Sequence, residues 1–388
     1  MLDGFLPYGR QTIEDDDIAA VTAALRADFL TTGPGVEAFE SVFAEAVGAR
    51  HAIACSNGTA ALHLSLLALG VGEGQVCVVP SITFLATANA ARLAGAEVVF
   101  ADVDPQSGLI TPQTLEAALA RADGARIGGI LPVHLRGDVC DLPALRDIAD
   151  RTGAALVEDA CHALGSQAVF GDGAMRVGDN RFSDLTAFSF HPVKTLTTAE
   201  GGVVTTGDPR LAARLAALRN HGMTRPPGAD PWWYEMAEVG LNYRLPDLLC
   251  ALGSSQVAKL PRFVARRRAL ARLYAQALEP LSPIVRLAAQ PAWSQPALHL
   301  MTVLIDFAAA ETTRRQVVER LRAHGIGSQV HYIPVHRQPY YRNRYGALDL
   351  PGAEAWYDRC LSLPLFPAMQ DADVRRTADA LAEALARP

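Results

Sequence analysis

The sequence predicts an α/β protein: a mainly parallel seven-stranded sheet in a large domain, followed by a small α+β domain. Three observations carry that expectation. Seven short apolar runs between residues 51 and 206 alternate with helical stretches, the rhythm of a parallel sheet covered on both faces. Half of the 388 residues are hydrophobic and 20% are charged, enough to bury a sizeable core. Near residue 260 the pattern changes to an arginine-rich helix and then a proline-rich stretch, which divides the chain into 1–260 and 261–388.

Taken in order, Thr12 is placed as the N-cap of a first helix, with acidic residues from Glu14 to Asp17 on its opening turn. Ile18, Val21 and Leu25 recur at helical spacing behind it. A loop, FLTTGPG, leads to a second amphipathic helix through Val36, Phe39, Phe43 and Val47. The seven strands are expected at 51–55, 76–80, 97–103, 128–134, 154–159, 185–190 and 201–206. Helices fall between them at 59–69, 85–93, 112–122 and 142–151. Ligands of such sheets bind beyond the carboxyl ends of the strands, so the polar residues just after each strand carry the functional interest. A long helix at 254–278 bears Arg262, Arg266, Arg267 and Arg268, read as a solvated face, and Lys259, read as a surface residue. After the proline-rich 280–296 come a strand at 300–307, a helix at 312–324, a strand near 329–332 and a last helix from Asp371.

A net charge of −6 argues against a general nucleic-acid or anionic-membrane binder. The six cysteines (Cys55, Cys77, Cys140, Cys161, Cys250 and Cys360) form no CxxC pair and no zinc-type spacing, so reduced thiols and no metal are expected. MLDGFLPYGRQTIEDDD lacks a signal peptide's basic and apolar regions, and no uncharged apolar run of about 18 residues occurs. A cytoplasmic, soluble protein is the expectation.

The chemistry begins with lysine. Of 35 basic side chains only Lys194 and Lys259 are lysine. Arginine cannot serve as a nucleophilic amine, whereas a desolvated lysine forms a Schiff base. Lys194 follows a strand in FSFHPVKTLTTAEGG and is either that amine or an ordinary loop residue. In CSNGTAALH a strand runs through a small-residue turn into a helix, either a phosphate cradle or a plain turn capped by Thr59. In ALVEDACHALGS, Asp159 ends an apolar strand, where a buried carboxylate needs a cationic partner such as a protonated pyridine nitrogen. His162 follows three residues later, as a site residue or a structural histidine. Phe84, just past a strand end, either stacks on a planar ring or packs in the core. Together and in this order these elements describe a pyridoxal phosphate (PLP) site. No GxGxxG or GxxxxGK[ST] loop supports a nucleotide-binding module instead.

The sequence resembles the DegT/DnrJ/EryC1/StrS sugar aminotransferases over essentially its whole length, through DFLTTGP, SNGTAALH, PSITFLATANA, EDACHALGS, FSFHPVKTLTTAEGG, RNHGM, GLNYRLPD and HYIPVH. The resemblance implies a fold-type I PLP-dependent transferase with Lys194 as the Schiff-base and proton-shuttling lysine. It also implies Asp159 at the pyridine nitrogen, Phe84 stacked on the ring and His162 near the phenolic oxygen, where many relatives have Gln. Gly58, Thr59, Ala60 and Ser189 would hold the phosphate. Asn242 would reach the phosphate of a neighbouring subunit, which implies a homodimer with shared sites. Tyr8, Thr32, His331 and Tyr332 are expected in the sugar pocket, with ordinary packing as the alternative. Within the family the motifs look most like the pseudaminic-acid branch, which implies ping-pong transfer of an amino group from L-glutamate to C4 of a UDP-linked 4-keto-6-deoxy-N-acetylhexosamine, releasing 2-oxoglutarate. The alternative is a GDP-4-keto-6-deoxymannose (perosamine-type) or other nucleotide-sugar 3- or 4-aminotransferase. The family's sugar dehydratases carry histidine in place of the lysine, and a regulatory relative without catalysis would not need Lys194, Asp159 and the turn together. Two departures stand out: Ala199 where relatives often have Gly, and Arg136 where relatives vary.

Overall fold

The computed structural model describes residues 4–171 and 173–386. Seven strands form the main sheet: β1 (His51–Cys55), β2 (Gln75–Pro80), β3 (Glu97–Ala101), β4 (Arg126–Ile130), β5 (Ala155–Asp159), β6 (Leu185–Ser189) and β7 (Gly202–Thr206). Their order is β1-β7-β6-β5-β4-β2-β3, with every pair from β6 to β3 parallel. The 190–201 connection contains no crossover helix, so β7 returns antiparallel between β6 and β1. The carboxyl ends of β1, β2, β5 and β6 therefore share one edge. The mainly parallel seven-stranded sheet expected from the sequence is present. Two strands, β3 and β4, end markedly earlier than expected. Past Ala101, Asp102 turns to accept the Gly352 and Ala353 N–H groups, and past Ile130 the chain leaves β4 for a tight turn at Leu135–Gly137.

Helices α1 (Asp15–Leu25) and α2 (Pro34–Val47) precede the sheet, and α3 (Gly58–Ala68) and α4 (Leu85–Leu93) follow β1 and β2. The cap of α1 is not Thr12 but Glu14, which exchanges bonds with Asp17 in a capping box. Nor does the expected apolar face turn inward: Ile18 and Leu25 are 58% and 57% exposed. Instead Asp17 is buried, bonded by Ser255 (2.7 Å) and Gln256 (2.8 Å) and ion-paired with Lys259 at 2.6 Å. Lys259 is thus no surface residue; it is the buried cation that docks α1 on the long helix. By contrast α2 buries Val36, Phe39, Phe43 and Val47 as its periodicity requires.

That long helix runs unbroken from Asp247 to Leu278, through Pro261. Its arginine run is not a uniformly solvated face, because Arg267 is fully buried and donates to the carbonyls of Leu298, His299 and Leu365. A second core gathers Leu6, Leu270, Tyr274 and Leu278 with an antiparallel sheet of Val285–Leu287, Met301–Ile305 and Cys360–Leu363 and the helices Arg314–Ala323 and Asp371–Leu385. The strand expected near 329–332 is absent among the described residues beyond one bridge, Gln329 to Ser362. The chain peels away there because it crosses back to the large sheet, where Val335 N–H reaches the Ser81 carbonyl at 2.9 Å. No helix among the described residues is long and apolar enough to span a membrane.

Candidate active site

Beyond the shared strand edge lies a cavity of about 780 Å³. It brings together Tyr8, Gly58, Thr59, Ala60, Phe84, Asp159, His162, Ser189, Lys194, His331 and Tyr332. Asn242 and Thr32 do not line it; both are exposed, Asn242 bridging Asn220 and Thr32 lying in the loop before α2.

The turn after β1 is built by its own residues. Asn57, not Thr59, caps α3, its side chain accepting the Ala60 N–H at 2.8 Å. The first N–H groups of the helix have no partner four residues back and sit at the positive end of its dipole. Gly58 allows a close approach: a methyl there would lie 2.7 Å from Ser189 Cβ and 3.3 Å from Cys161 Sγ. That close approach sets the amino end of α3 beside Ser189 at the cavity wall, and the two together can cradle an anion.

Asp159 ends β5 and is buried. One carboxylate oxygen accepts from Thr87 Oγ1 at 2.6 Å and the other from the Cys161 N–H at 3.1 Å, so its direction is fixed from both sides. Thr83 and Thr87, one turn apart across the start of α4, are themselves bonded at 2.7 Å. Burial pulls the Lys194 amine below the ordinary lysine range, opposed by Cys161 and Asp159. An amine with a lowered pKa loses its proton more readily, as a Schiff-base nucleophile requires.

A cluster of histidines closes the far side. His162 holds the Tyr332 hydroxyl at 3.0 Å and lies against His299, ring centres 4.4 Å apart and planes tilted by 40°. His331 bonds Ser362 at 2.8 Å, and burial pushes it down to about 3. Burial also drives His162 and His299 well below the usual histidine value. All three are therefore neutral at physiological pH. Phe84 is 57% exposed and faces Tyr332 with ring centres 6.0 Å apart. Sequence reasoning missed Asn57, Thr87, Cys161 and His299. The Asn of SNGT and the i, i+4 threonines of TFLAT were legible signals for the first two, whereas nothing in PALHLM marks His299.

These residues fit PLP: an anion cradle, a fixed buried carboxylate for a cationic ring nitrogen and an amine of lowered pKa stand in one cavity. Solved structures agree. Helicobacter pylori PseC, an aminotransferase involved in pseudaminic acid biosynthesis, is 27% identical over 98% of this chain and 99% of its own, with a TM-score of 0.89. The sugar aminotransferase Spr1654 of Streptococcus pneumoniae, in its PLP form, is 26% identical over 98% of both chains, with a TM-score of 0.88. DesV of S. venezuelae is 33% identical over 98% of this chain and all of its own, with a TM-score of 0.85. A sequence model of one family matches residues 11–382, spanning every strand of the main sheet, and so the chain belongs to the DegT/DnrJ/EryC1/StrS aminotransferase family, enzymes that depend on PLP.

Proposed function

We propose that this enzyme transfers the amino group of L-glutamate to C4 of a UDP-linked 4-keto-6-deoxy-N-acetylhexosamine. The carrying observation is the placement of Lys194, one of two lysines in the sequence, in one cavity with Asp159 and the amino end of α3. The choice of sugar is supported by likeness to PseC.

PLP, when bound, supplies an electron sink and an aldehyde carbon that carries the amino group from donor to acceptor. The chain's residues do the rest. The α3 turn, through Gly58, Thr59 and Ala60, and Ser189 hold the phosphate, and Phe84 covers the ring. Asp159, fixed by Thr87 and the Cys161 N–H, keeps the ring nitrogen protonated. Lys194 takes the proton from the donor's Cα and returns it at the other end of the transfer. Tyr8, His331 and Tyr332 line the sugar side, and Asn242 reaches the phosphate of a neighbouring subunit in a cytoplasmic homodimer. Residues 1–260 form the cofactor domain and 261–388 the smaller one.

The test is the visible spectrum of the PLP-loaded protein before and after L-glutamate. The band of the Lys194-bound cofactor is expected to give way to that of the aminated cofactor, and Lys194→Ala to lose both band and turnover with its fold intact. Loaded enzyme is then offered UDP- and GDP-linked 4-keto sugars. A 4-amino UDP-sugar supports the reading, a GDP product points to the perosamine-type alternative, and turnover by Lys194→Ala overturns it.

A further inference from the structure

The turn at Leu135–Gly137 is locked. Arg136 sits in the left-handed region at φ 63°, is buried, and its guanidinium binds Asp138 and the Ala289 carbonyl (2.8 Å). Its backbone N–H consequently has one direction, and it donates to His162 Nδ1 at 3.4 Å. A backbone N–H can only donate, so Nδ1 bears the lone pair and the ring proton is on Nε2. Nε2 is the atom that meets Tyr332 Oη at 3.0 Å, so His162 donates and the phenol accepts. The phenol's own proton is then unused, and among the described residues no other partner for it is recorded. Tyr332 lines the cavity that holds Lys194.

We propose that the Tyr332 hydroxyl donates a hydrogen bond to the carbonyl oxygen of the acceptor sugar, and that the Arg136 N–H aims it through His162. This rests on the reading of the preceding subsection. When an amine adds to C=O, negative charge builds on the oxygen, and an oriented donor in a buried site stabilises it. The bond transfers no proton. Burial holds Tyr332 well above the ordinary tyrosine range, so the phenol keeps its hydrogen. His162 and Arg136 are positioning residues. Glutamine at position 162 satisfies the same geometry, because a carboxamide accepts with its oxygen and donates with its nitrogen, whereas alanine does neither.

The test compares Tyr332→Phe, His162→Ala and His162→Gln in the PLP-loaded enzyme, with 15N NMR of histidine side chains as a readout independent of turnover. Tyr332→Phe is expected to load PLP as the parent does and to lose about 100-fold in kcat, the size of losing one such donor, with KM nearly unchanged. His162→Ala falls to a similar level and His162→Gln recovers most of the loss. The His162 resonances show the Nε2–H tautomer in both the parent and Tyr332→Phe. Parental kcat in Tyr332→Phe, a raised KM with kcat unchanged, or an Nδ1–H tautomer at His162 overturns the proposal. A parent that aminates no keto sugar defeats the proposed function instead, and the tautomer still decides the relay.

Discussion

Gly58→Ala isolates the anion cradle from the rest of the site. The added methyl would stand 2.7 Å from Ser189 Cβ, 3.1 Å from its Oγ and 3.3 Å from Cys161 Sγ. Carbon atoms pack at about 3.5–4 Å, so the turn or the end of β6 has to move by about 1 Å. Overpacking of this kind costs about 1–3 kcal/mol, part of which the better helix propensity of alanine offsets, by up to about 1 kcal/mol. Folding should therefore survive with a modest loss in Tm. Phosphate binding should not, because the shift pulls α3 and Ser189 apart. Losing one bond to a charged group, about 1.5–3 kcal/mol, corresponds to about a 10- to 100-fold rise in the Kd for PLP. Titration of the apoprotein with PLP, followed by absorbance, measures that directly. Gly207→Ala, where a methyl meets nothing within 4 Å, is the matched control. Unchanged PLP affinity in Gly58→Ala would refute the placement of the phosphate between α3 and Ser189.

Three further outcomes are expected. Ala199 holds a left-handed φ of 67° next to Glu200 at the cavity rim, so Ala199→Gly should raise urea stability by about 0.5–1 kcal/mol, and a lower stability would show that the conformation is unstrained. His331 is neutral in the fold with its pKa near 3, against 6.5 when unfolded, so its contribution is complete above pH 6.5 and is lost as the pH falls toward 3. Between pH 6.5 and 5.5 that loss is about 1 kcal/mol, and His331→Asn should flatten the acid limb of stability against pH by that amount. Asp159→Asn should retain bound PLP yet slow turnover about 100-fold or more, because the ring nitrogen loses its anionic partner; parental turnover would remove the role assigned to that carboxylate.

Much of the fold was legible because each level of the sequence agrees with the next. The strands of the main sheet are apolar runs long enough to be buried on both faces, and from β1 to β5 their spacing leaves room for one helix between successive strands. α2 reads correctly because its four periodic apolar positions face the sheet. α1 misleads for the same reason in reverse. Ile18 and Leu25 have the right period, but the contacts that seat the helix are polar ones from Asp17 to residues more than 230 positions away. No local pattern encodes such a partner. His299 is hidden likewise: its position beside His162 depends on Arg267 gripping its carbonyl from the long helix.

The two lysines show where composition stops being informative. Counting them marks both as unusual, and both prove to be largely buried, yet their chemistry diverges. Around Lys259 burial opposes the charge, but the bonds to Asp16 and Asp17 together outweigh it and the pKa is raised. That lysine is fixed as a cation and serves as a structural pin. Around Lys194 burial is the dominant influence, and the nearby Cys161 and Asp159 only partly oppose it. Asp159 is occupied by Thr87 and the Cys161 N–H, and no ion pair joins it to Lys194 among the described residues. An amine held near a carboxylate but not bonded to it stays available as a nucleophile. Identical residue types in equally sparse supply thus acquire opposite roles, and the deciding difference is whether the amine itself is bonded to its neighbouring carboxylate, as Lys259 is to Asp16 and Asp17.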